Sequence, residues 1–246
     1  NGIRKKMTNK INYIGLFSGG KDSLTMCHYM YKKGVMNEVI YCHTGVGLNE
    51  EYVKEVCQNF NWKLNIVSPA PFEYETFVQR YGFPRPTSHS WIMQRLKLNP
   101  IRKWYNKEKH KRDIIFLSGI RISESNRRRM NFGKKDNLKK LTGMTFAKPI
   151  LIWSNDKVKE YIKTYNLKIS PIYDILGLGG DCLCGAFTKK EHAPILKVKF
   201  PILAERFIEL EKNCRGTWGQ YQPLQSCNRN EDDGVLCSDC MIGDKK

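Results

Sequence analysis

Short apolar runs alternate along the chain with segments whose apolar residues recur at helical spacing. The runs predict four buried strands and a further extended segment, at residues 11–17, 38–42, 63–67, 114–118 and 146–152. The helical spacing predicts six helices, at residues 24–33, 49–59, 72–81, 90–111, 156–165 and 201–213. Pro100 is expected to interrupt the helix at 90–111, and Ser154 is expected to cap the helix at 156–165. Strands alternating with helices form crossover units, so the pattern predicts an α/β fold with an open, mostly parallel sheet.

The periodic pattern weakens towards the carboxyl terminus. Residues 131–140 lack it and are predicted to form a basic loop, and a polar tail rich in cysteine follows the last helix. We therefore expect an α/β domain over residues 10–190 and a small cysteine-rich extension, with one helix, over residues 191–246.

Charge adds a candidate partner. The 246 residues carry 42 lysines and arginines against 24 aspartates and glutamates, for a net charge of +18, and much of the surplus lies in residues 102–112 and 121–140. A basic surface favours a polyanion, such as a nucleic acid. An ordinary solvated face would carry the same charges, and that alternative stays open.

The cysteine count and the lack of long apolar runs indicate the compartment. No run of about 18 apolar residues and no apolar leader is present, so we expect a cytoplasmic protein without a membrane partner. In that compartment nine cysteines are expected to be reduced thiols, metal ligands or redox groups.

One polar hexapeptide stands between the first predicted strand and helix, made of Ser18, Gly19, Gly20, Lys21, Asp22 and Ser23. Its glycines allow the backbone to approach a ligand closely, and its N–H groups and the helix N-terminus favour an anion. The spacing differs from the P-loop of NTPases, which has four residues between its first glycine and the Gly-Lys pair. The sequence predicts a phosphate cradle, with a chance capped turn as the alternative.

Two further loops follow predicted strands, at residues 43–45 and 119–129. Ligands of open α/β sheets bind at the carboxyl ends of strands, near the topological switch point. The second loop is rich in arginine, which binds phosphate or sulfate oxygens bidentately, and Glu124 would orient an arginine or help to hold a metal. The alternative is an exposed basic loop.

The hexapeptide resembles the PP-motif of the ATP pyrophosphatase superfamily. The further order of His43-Thr44-Gly45, Gly-x-Arg-x-x-Glu-Ser, residues 149–153 and 158–161, and Ser170-Pro171-x-Tyr173 is similar to that of the phosphoadenosine phosphosulfate (PAPS) reductase family, over about residues 10–190. The resemblance implies a doubly wound, adenine nucleotide alpha hydrolase-like fold that binds ATP, PAPS or adenylyl sulfate (APS) with Mg²⁺.

The resemblance also implies roles for individual residues. Ser18, Gly19, Gly20, Lys21, Asp22 and Ser23 would hold phosphates, and Thr44 and Gly45 would lie beside the adenosine. Arg121 and Arg128 would meet the anionic end of the nucleotide. The expected catalytic set is Lys21, Asp22, Arg121 and Glu124.

The cysteines depart from that family. The chain lacks the Glu-Cys-Gly segment of thioredoxin-dependent PAPS reductases and the Cys-Cys pair of cluster-bearing APS reductases. We instead expect a zinc ion or a [4Fe-4S] cluster on four thiolates, Cys182, Cys184, Cys237 and Cys240. The alternatives are redox or persulfide-carrying thiols, inert cysteines, or a ligand set in which Cys214 or Cys227 replaces Cys182.

Other chemistry-bearing side chains have simpler interpretations. Cys27, Cys42 and Cys57 lie in strand and helix patterns and are expected to fill the core. His28 lies inside the first helix and is expected to be packed or exposed. Trp91, Trp104 and Tyr105 lie among basic residues, and we favour helix packing over base stacking for them.

Three functions are compatible with these residues. The first is an ATP-dependent sulfur transferase that activates a nucleic acid, tRNA or DNA, and releases pyrophosphate. It is implied by analogy with tRNA-thiolating and DNA-phosphorothioating relatives that pair a PP-motif with cysteines or a cluster. The second is reduction of PAPS or APS to sulfite. The third is a non-enzymatic nucleotide-sensing or nucleic-acid-binding module, and a homodimer is an assembly to test.

Overall fold

A computed structural model describes residues 11–124, 138–177, 179–189 and 191–218. Its sheet has six strands, β1 Asn12–Leu16, β2 Glu38–Cys42, β3 Lys63–Val67, β4 Ile114–Leu117, β5 Leu138–Leu141 and β6 Met144–Ala147. The strand order is β3-β2-β1-β4-β6-β5, and all neighbours are parallel except β5 and β6. The predicted α/β class with an open, mostly parallel sheet is confirmed.

Helices connect and cover the strands within the described residues. They are α1 Lys21–Lys32, α2 Glu50–Asn59, α3 Glu73–Tyr81, α4 His89–Met93, α5 Asn99–Glu108, α6 Asn155–Thr164, α7 Ile172–Leu176, α8 His192–Lys199 and α9 Pro201–Asn213. A π-helical turn, Gln94–Leu98, joins α4 to α5, and a 3₁₀ turn covers Ile122–Glu124. Ser154 caps α6 as predicted, because its side chain accepts from the Lys157 amide at 3.1 Å.

The alternation of side chains along the strands produces a core on each face of the sheet. Val39 and Tyr41 of β2 pack in one cluster with residues of α1, α2 and α6, whereas Ile40 packs in another that includes Ile101 of α5. Helices therefore cover both faces, and the sheet is doubly wound. A third cluster lies among α3, α7, α8 and α9.

The strand order changes direction at β1. The chain first moves from β1 outward to β2 and β3, and then returns to place β4 on the other side of β1. The carboxyl ends of β1 and β4 thus flank a topological switch point, the position at which such sheets bind ligands.

The structure corrects three sequence-based expectations. The predicted basic loop 131–140 is wrong at its end, because Leu138–Leu141 forms an antiparallel edge strand with β6. The extended segment 146–152 is shorter than predicted, since Met144–Ala147 forms the strand and a turn follows. Pro100 does not interrupt its helix, because the π-helical turn precedes it and places it in the first turn of α5, where proline is tolerated.

Among the helices of the described ranges, none combines the length and the apolar character that crossing a membrane requires.

Candidate functional site

The loop Ser18–Ser23 lies between the end of β1 and the first turn of α1, in the strand, turn and helix arrangement that the sequence predicts. Ser23 Oγ donates to the Gly20 carbonyl oxygen at 2.8 Å and accepts from the Ser18 amide at 3.3 Å. The first turn of a helix leaves N–H groups without intrahelical acceptors and carries a partial positive charge. The loop is therefore an environment that favours phosphate.

The side chain of Asn49 holds this loop in place by hydrogen bonds, a role that sequence analysis missed. Its fully buried amide nitrogen donates to the Ser18 carbonyl oxygen at 3.1 Å and also to the Gly179 carbonyl oxygen. Its amide oxygen accepts from Ser170 Oγ at 2.7 Å. The residue stands at the start of α2, as predicted, but its side chain makes no capping bond there. One side chain thus connects three separate segments.

The Ser170-Pro171-x-Tyr173 motif contacts the loop a second time. The Lys21 amide donates to Tyr173 Oη at 3.1 Å, and burial raises the pKa of this tyrosine well above its usual value. A neutral hydroxyl therefore lies at the N-terminus of α1. The Ser170-Pro171-x-Tyr173 motif and the Ser18–Ser23 loop therefore pack together.

The two expected catalytic residues Asp22 and Arg121 form a buried ion pair. Arg121 Nε donates to Asp22 Oδ1 at 2.9 Å, and both side chains are at most 3% exposed. Arg121 also donates to Ser123 Oγ at 2.8 Å, while Lys21 Nζ lies 3.6 Å from Asp22 Oδ2. The pair joins α1 to the segment after β4, and a contact of Arg121 with nucleotide stays a prediction.

Gly119 brings the end of β4 against the same turn of α1. A Cβ at this position would lie 2.8 Å from the Ser23 amide nitrogen and 2.9 Å from the Asp22 carbonyl oxygen. Any larger side chain would push the two segments apart, so glycine is required for this packing.

A cleft of about 580 Å³, which includes space open to solvent, lies at the switch point where such sheets bind ligands. Its walls include Ser18, Gly20 and Ser23 of the loop, together with Ser118 at the end of β4. Cys42 also lines it, so this cysteine is not only the core filler that the sequence predicts. Burial raises the pKa of Cys42 to about 12, which keeps the thiol protonated.

Lys97 and Asp181 form a second buried ion pair in the wall of the cleft. Lys97 lies on the π-helical turn Gln94–Leu98, a distortion that is frequent at functional sites. The sequence pattern missed both residues because Lys97 stands in an apolar helical stretch and its partner is 84 residues away.

Thr44 contacts the segment that contains Asp181, and Gly45 contacts α9. Thr44 Oγ1 donates to the Asp181 carbonyl oxygen at 3.3 Å. The Gly45 carbonyl oxygen accepts from the Arg206 guanidinium, which also pairs with Glu75. Their contact with adenosine stays a prediction.

Cys182 and Cys184 follow Asp181 directly, so one stretch of chain carries both a residue of the cleft and two thiols. Cys184 is buried, and Cys182 and Cys214 are partly buried against the same apolar cluster. The Cys184 carbonyl oxygen accepts from Tyr74 Oη at 3.0 Å. These bonds fix the backbone that carries the thiols.

Trp218, the last described residue, packs against the stretch that carries Cys182 and Cys184. Its Nε1 donates to the Leu183 carbonyl oxygen at 2.7 Å, and its ring stacks on Phe207 with centroids 5.0 Å apart. Trp218 therefore lies against both this stretch and α9.

Several candidate residues lie outside the described residues, namely Arg128, Cys227, Cys237 and Cys240, and the same holds for the side chain of Glu124. Among the described side chains, no group of three or more histidines, cysteines, aspartates or glutamates is placed to hold a metal ion. Because two of the four expected thiolates are outside that part, the metal site stays a prediction.

Comparisons with known proteins add a family and a fold. Residues 12–176 match the family described as "Phosphoadenosine phosphosulfate reductase domain". No curated protein matches the chain. The phosphoadenylyl-sulfate (PAPS) reductase from Candida auris, in a phosphate complex, is similar with 18% identity and a TM-score of 0.50, covering 70% of this chain and 80% of that one. At this identity the likeness concerns the fold.

Two other solved structures are similar at lower TM-scores. The NMN synthetase from Francisella tularensis has 15% identity and a TM-score of 0.49, with 80% of this chain and 77% of that chain covered. The U34-tRNA thiolase NcsA from Methanococcus maripaludis, with its [4Fe-4S] cluster, has 18% identity and a TM-score of 0.44, with 89% and 78% covered.

Proposed function

This chain belongs to the family of phosphoadenosine phosphosulfate reductase domains, and from that premise we propose that it is an ATP-dependent sulfur transferase of the PP-loop class. It binds ATP in the cleft, activates an oxygen of a nucleic acid and releases pyrophosphate. The observation that carries the proposal is the Ser18–Ser23 loop, which lines a cleft at the switch point and presents the N-terminus of α1 to it.

The reaction consists of two substitutions. An oxygen of the nucleic acid attacks the α-phosphorus of ATP, the bond to the β-phosphate oxygen breaks, and pyrophosphate leaves. A sulfur nucleophile then forms a C–S bond while the C–O bond breaks and AMP leaves. The loop holds the β- and γ-phosphates, and the ammonium group of Lys21 stabilises the charge of the leaving pyrophosphate.

Asp22 fits a role beside a divalent cation. Its Oδ2 is buried and has no hydrogen-bond partner among the described residues, and a carboxylate oxygen is the ligand that Mg²⁺ takes. When bound, Mg²⁺ would neutralise charge on the pyrophosphate. Arg121 orients the Asp22 carboxylate through its own 2.9 Å bond, and Glu124 would orient a further arginine.

The thiols are proposed to form a zinc or [4Fe-4S] site from Cys182, Cys184, Cys237 and Cys240. The length of chain after Trp218 permits such a site, because the nineteen residues from there to Cys237 span up to about 60 Å when extended. When bound, zinc would brace the tail, and a cluster would offer iron for sulfur binding. The stretch of Asp181 would hold the group close to the cleft.

The second candidate is reduction of PAPS or APS to sulfite, which the family match favours. The absence of a Glu-Cys-Gly segment counts against it. Release of sulfite from sulfur-labelled PAPS or APS would establish this reaction and refute the transferase.

The test of the first candidate is release of pyrophosphate from ATP with and without RNA or DNA. We expect stimulation by a nucleic acid, and loss of turnover by about a hundredfold in Lys21→Ala, because an oriented cation near the transferred phosphate is removed. Lys32→Ala removes an exposed lysine from the last turn of the same helix and should leave turnover unchanged. An ATPase that ignores both polymers would refute the proposal.

The metal proposal has its own measurement. Anaerobic purification with metal analysis and an absorption spectrum should find iron or zinc, and Cys182→Ser should reduce its content. Cys57→Ser changes a cysteine of the opposite core cluster and should not. Equal metal content in both variants would contradict the site.

A further inference from the structure

Two aromatic rings lie exposed at the junction of α3 and α4. The side chain of Trp91 is 60% exposed and that of Tyr81 is 47% exposed, although both residue types bury large apolar areas when they can. Their ring centroids are 6.5 Å apart, with the planes at 71°. The rings thus form a paired aromatic surface open to solvent.

Two arginines lie over the Tyr81 ring of this pair. The Arg80 guanidinium lies 5.3 Å from the centroid of the Tyr81 ring, and that of Arg95 lies 5.9 Å from it. Arg95 also donates to Glu73 at 2.9 Å, so its planar group is held in place. We call Arg80, Tyr81, Trp91 and Arg95 the aromatic platform. From residue 77 to residue 97 the sequence has four basic residues and no acidic one, and two of the four, Arg95 and Lys97, pair with the carboxylates of Glu73 and Asp181.

Neighbouring aromatic residues show that packing is available in this region. Trp104 and Tyr105 lie on α5, and their rings approach that of Phe116 at 6.4 Å and 5.9 Å between centroids. They are packed on the core, as the sequence analysis favours. Trp91 differs, because its ring faces solvent.

The platform lies close to the cleft along one helical run. Trp91 of α4 and Lys97 of the π-helical turn are six residues apart on a continuous helix. At about 1.5 Å per residue, this corresponds to roughly 9 Å along the axis. Trp91 and Lys97 therefore stand less than two turns apart on one helical run, so the platform and the wall of the cleft share this element.

We propose that the aromatic platform binds an unpaired segment of nucleic acid and leads it towards the cleft. Exposed rings stack on bases of any sequence, and the arginines add cation–π contacts and attract the phosphates. An acidic peptide would contact the arginines and an apolar peptide would contact the rings, whereas a single strand of nucleic acid contacts both. This inference rests on the proposed function, since it identifies how the acceptor is held.

The test measures binding of fluorescently labelled single-stranded RNA and DNA to the full chain without ATP, at one fixed salt concentration. Trp91→Ala and Tyr81→Ala should each weaken binding by about tenfold, because each removes one stacking partner. The control is Tyr165→Ala, since Tyr165 is 43% exposed and has Lys32 Nζ 6.0 Å from its ring, but lies at the end of α6. It should bind like the unchanged protein.

Three results would overturn the inference. The first is equal affinity of all variants, and the second is equal competition by a fully paired duplex, whose bases cannot stack on the rings. The third is acrylamide quenching that is the same in the unchanged protein and in Trp91→Phe, which would show that another part of the chain covers the ring.

The outcomes separate this inference from the proposed function. Polymer-stimulated pyrophosphate release that is unchanged in Trp91→Ala and Tyr81→Ala would refute the platform alone. Binding that depends on Trp91, with no pyrophosphate release in the presence of any polymer, would refute the transferase and leave the platform supported.

Discussion

Gly19 and Gly34 have similar left-handed backbones, with φ of +83° and +67°, but different surroundings. A Cβ on Gly19 would lie 2.7 Å from Asn49 Nδ2, whereas a Cβ on Gly34 would have nothing within 4 Å among the described atoms. Both alanine variants should lose about 1–2 kcal/mol of unfolding free energy from backbone strain. Only Gly19→Ala should also weaken ATP binding, by about tenfold or more, because the new methyl group displaces Asn49.

Calorimetric titration with ATP, together with urea unfolding, measures both effects of these glycine variants. If Gly34→Ala weakened ATP binding as much as Gly19→Ala, strain rather than the contact with Asn49 would be responsible.

The pair of Asp22 and Arg121 should be costly to break, because removal of one partner leaves a buried charge uncompensated. We expect Asp22→Ala to reduce the unfolding free energy by about 3–5 kcal/mol. The exposed pair of Glu51 and Lys54, at 2.9 Å, is the control, and Glu51→Ala should cost at most about 1 kcal/mol. Urea unfolding measures both, and equal costs would contradict the structural role of the buried pair.

At the scale of elements, strands were easier to predict than helix ends. The bounds of β2 and β3 agree with the sequence because their apolar runs end at polar residues or proline. Helix α1 begins three residues before its predicted start, since its first turn carries the polar Lys21, Asp22 and Ser23, which have no apolar period. Strand β5 was missed because its LKKL sequence is short and exposed, and only its pairing with β6 identifies it.

Helices α1 and α6 meet through His28, whose Nδ1 lies 3.0 Å from Tyr161 Oη. Burial, and the charge of Lys32, lower the pKa of His28 below 6.5. The unfolded chain therefore binds this proton at higher pH than the folded protein. The contribution to stability is complete above about pH 6.5 and is lost as the pH falls below that value.

Unfolding in urea between about pH 7.5 and 5.5 measures this dependence. The slope should be smaller in His28→Gln, and His192, whose pKa burial also lowers, should account for part of the remainder. A slope that is unchanged in His28→Gln would contradict the assignment.

At the scale of the whole molecule, Trp218 joins α9 to the stretch that carries Cys182 and Cys184. Trp218→Ala should cost about 3–5 kcal/mol of unfolding free energy, because it removes a buried ring. Trp218→Phe retains an aromatic ring against Phe207 but leaves the Leu183 carbonyl oxygen without its donor, and should cost about 1–3 kcal/mol. Urea unfolding measures the free energy lost in each variant. A loss near zero in Trp218→Ala would contradict the role of Trp218 in joining α9 to this stretch.

From the sequence, the candidate site could be recognised only through residues that stand in contiguous motifs, namely those at 18–23, 119–129 and 170–173. The loop from Ser18 to Ser23 could be recognised because its residues are consecutive and lie between a strand and a helix. Asn49, Lys97 and Asp181 depend on contacts between residues 31 to 130 positions apart, such as Asn49 with Ser18 and with Gly179. Periodicity contains no information on such contacts, so their roles emerge only from the folded chain.

The bonds of Asn49 have a practical consequence for stored preparations of the protein. Slow hydrolysis of its amide would replace the nitrogen donor by a carboxylate oxygen that faces the Ser18 and Gly179 carbonyl oxygens. Repulsion among these oxygens would disturb the phosphate loop, while the sheet and its two apolar layers would keep their packing. Molecules in which this amide has been hydrolysed should therefore lose nucleotide affinity before they lose their folded state, and mass analysis of a stored sample would identify them.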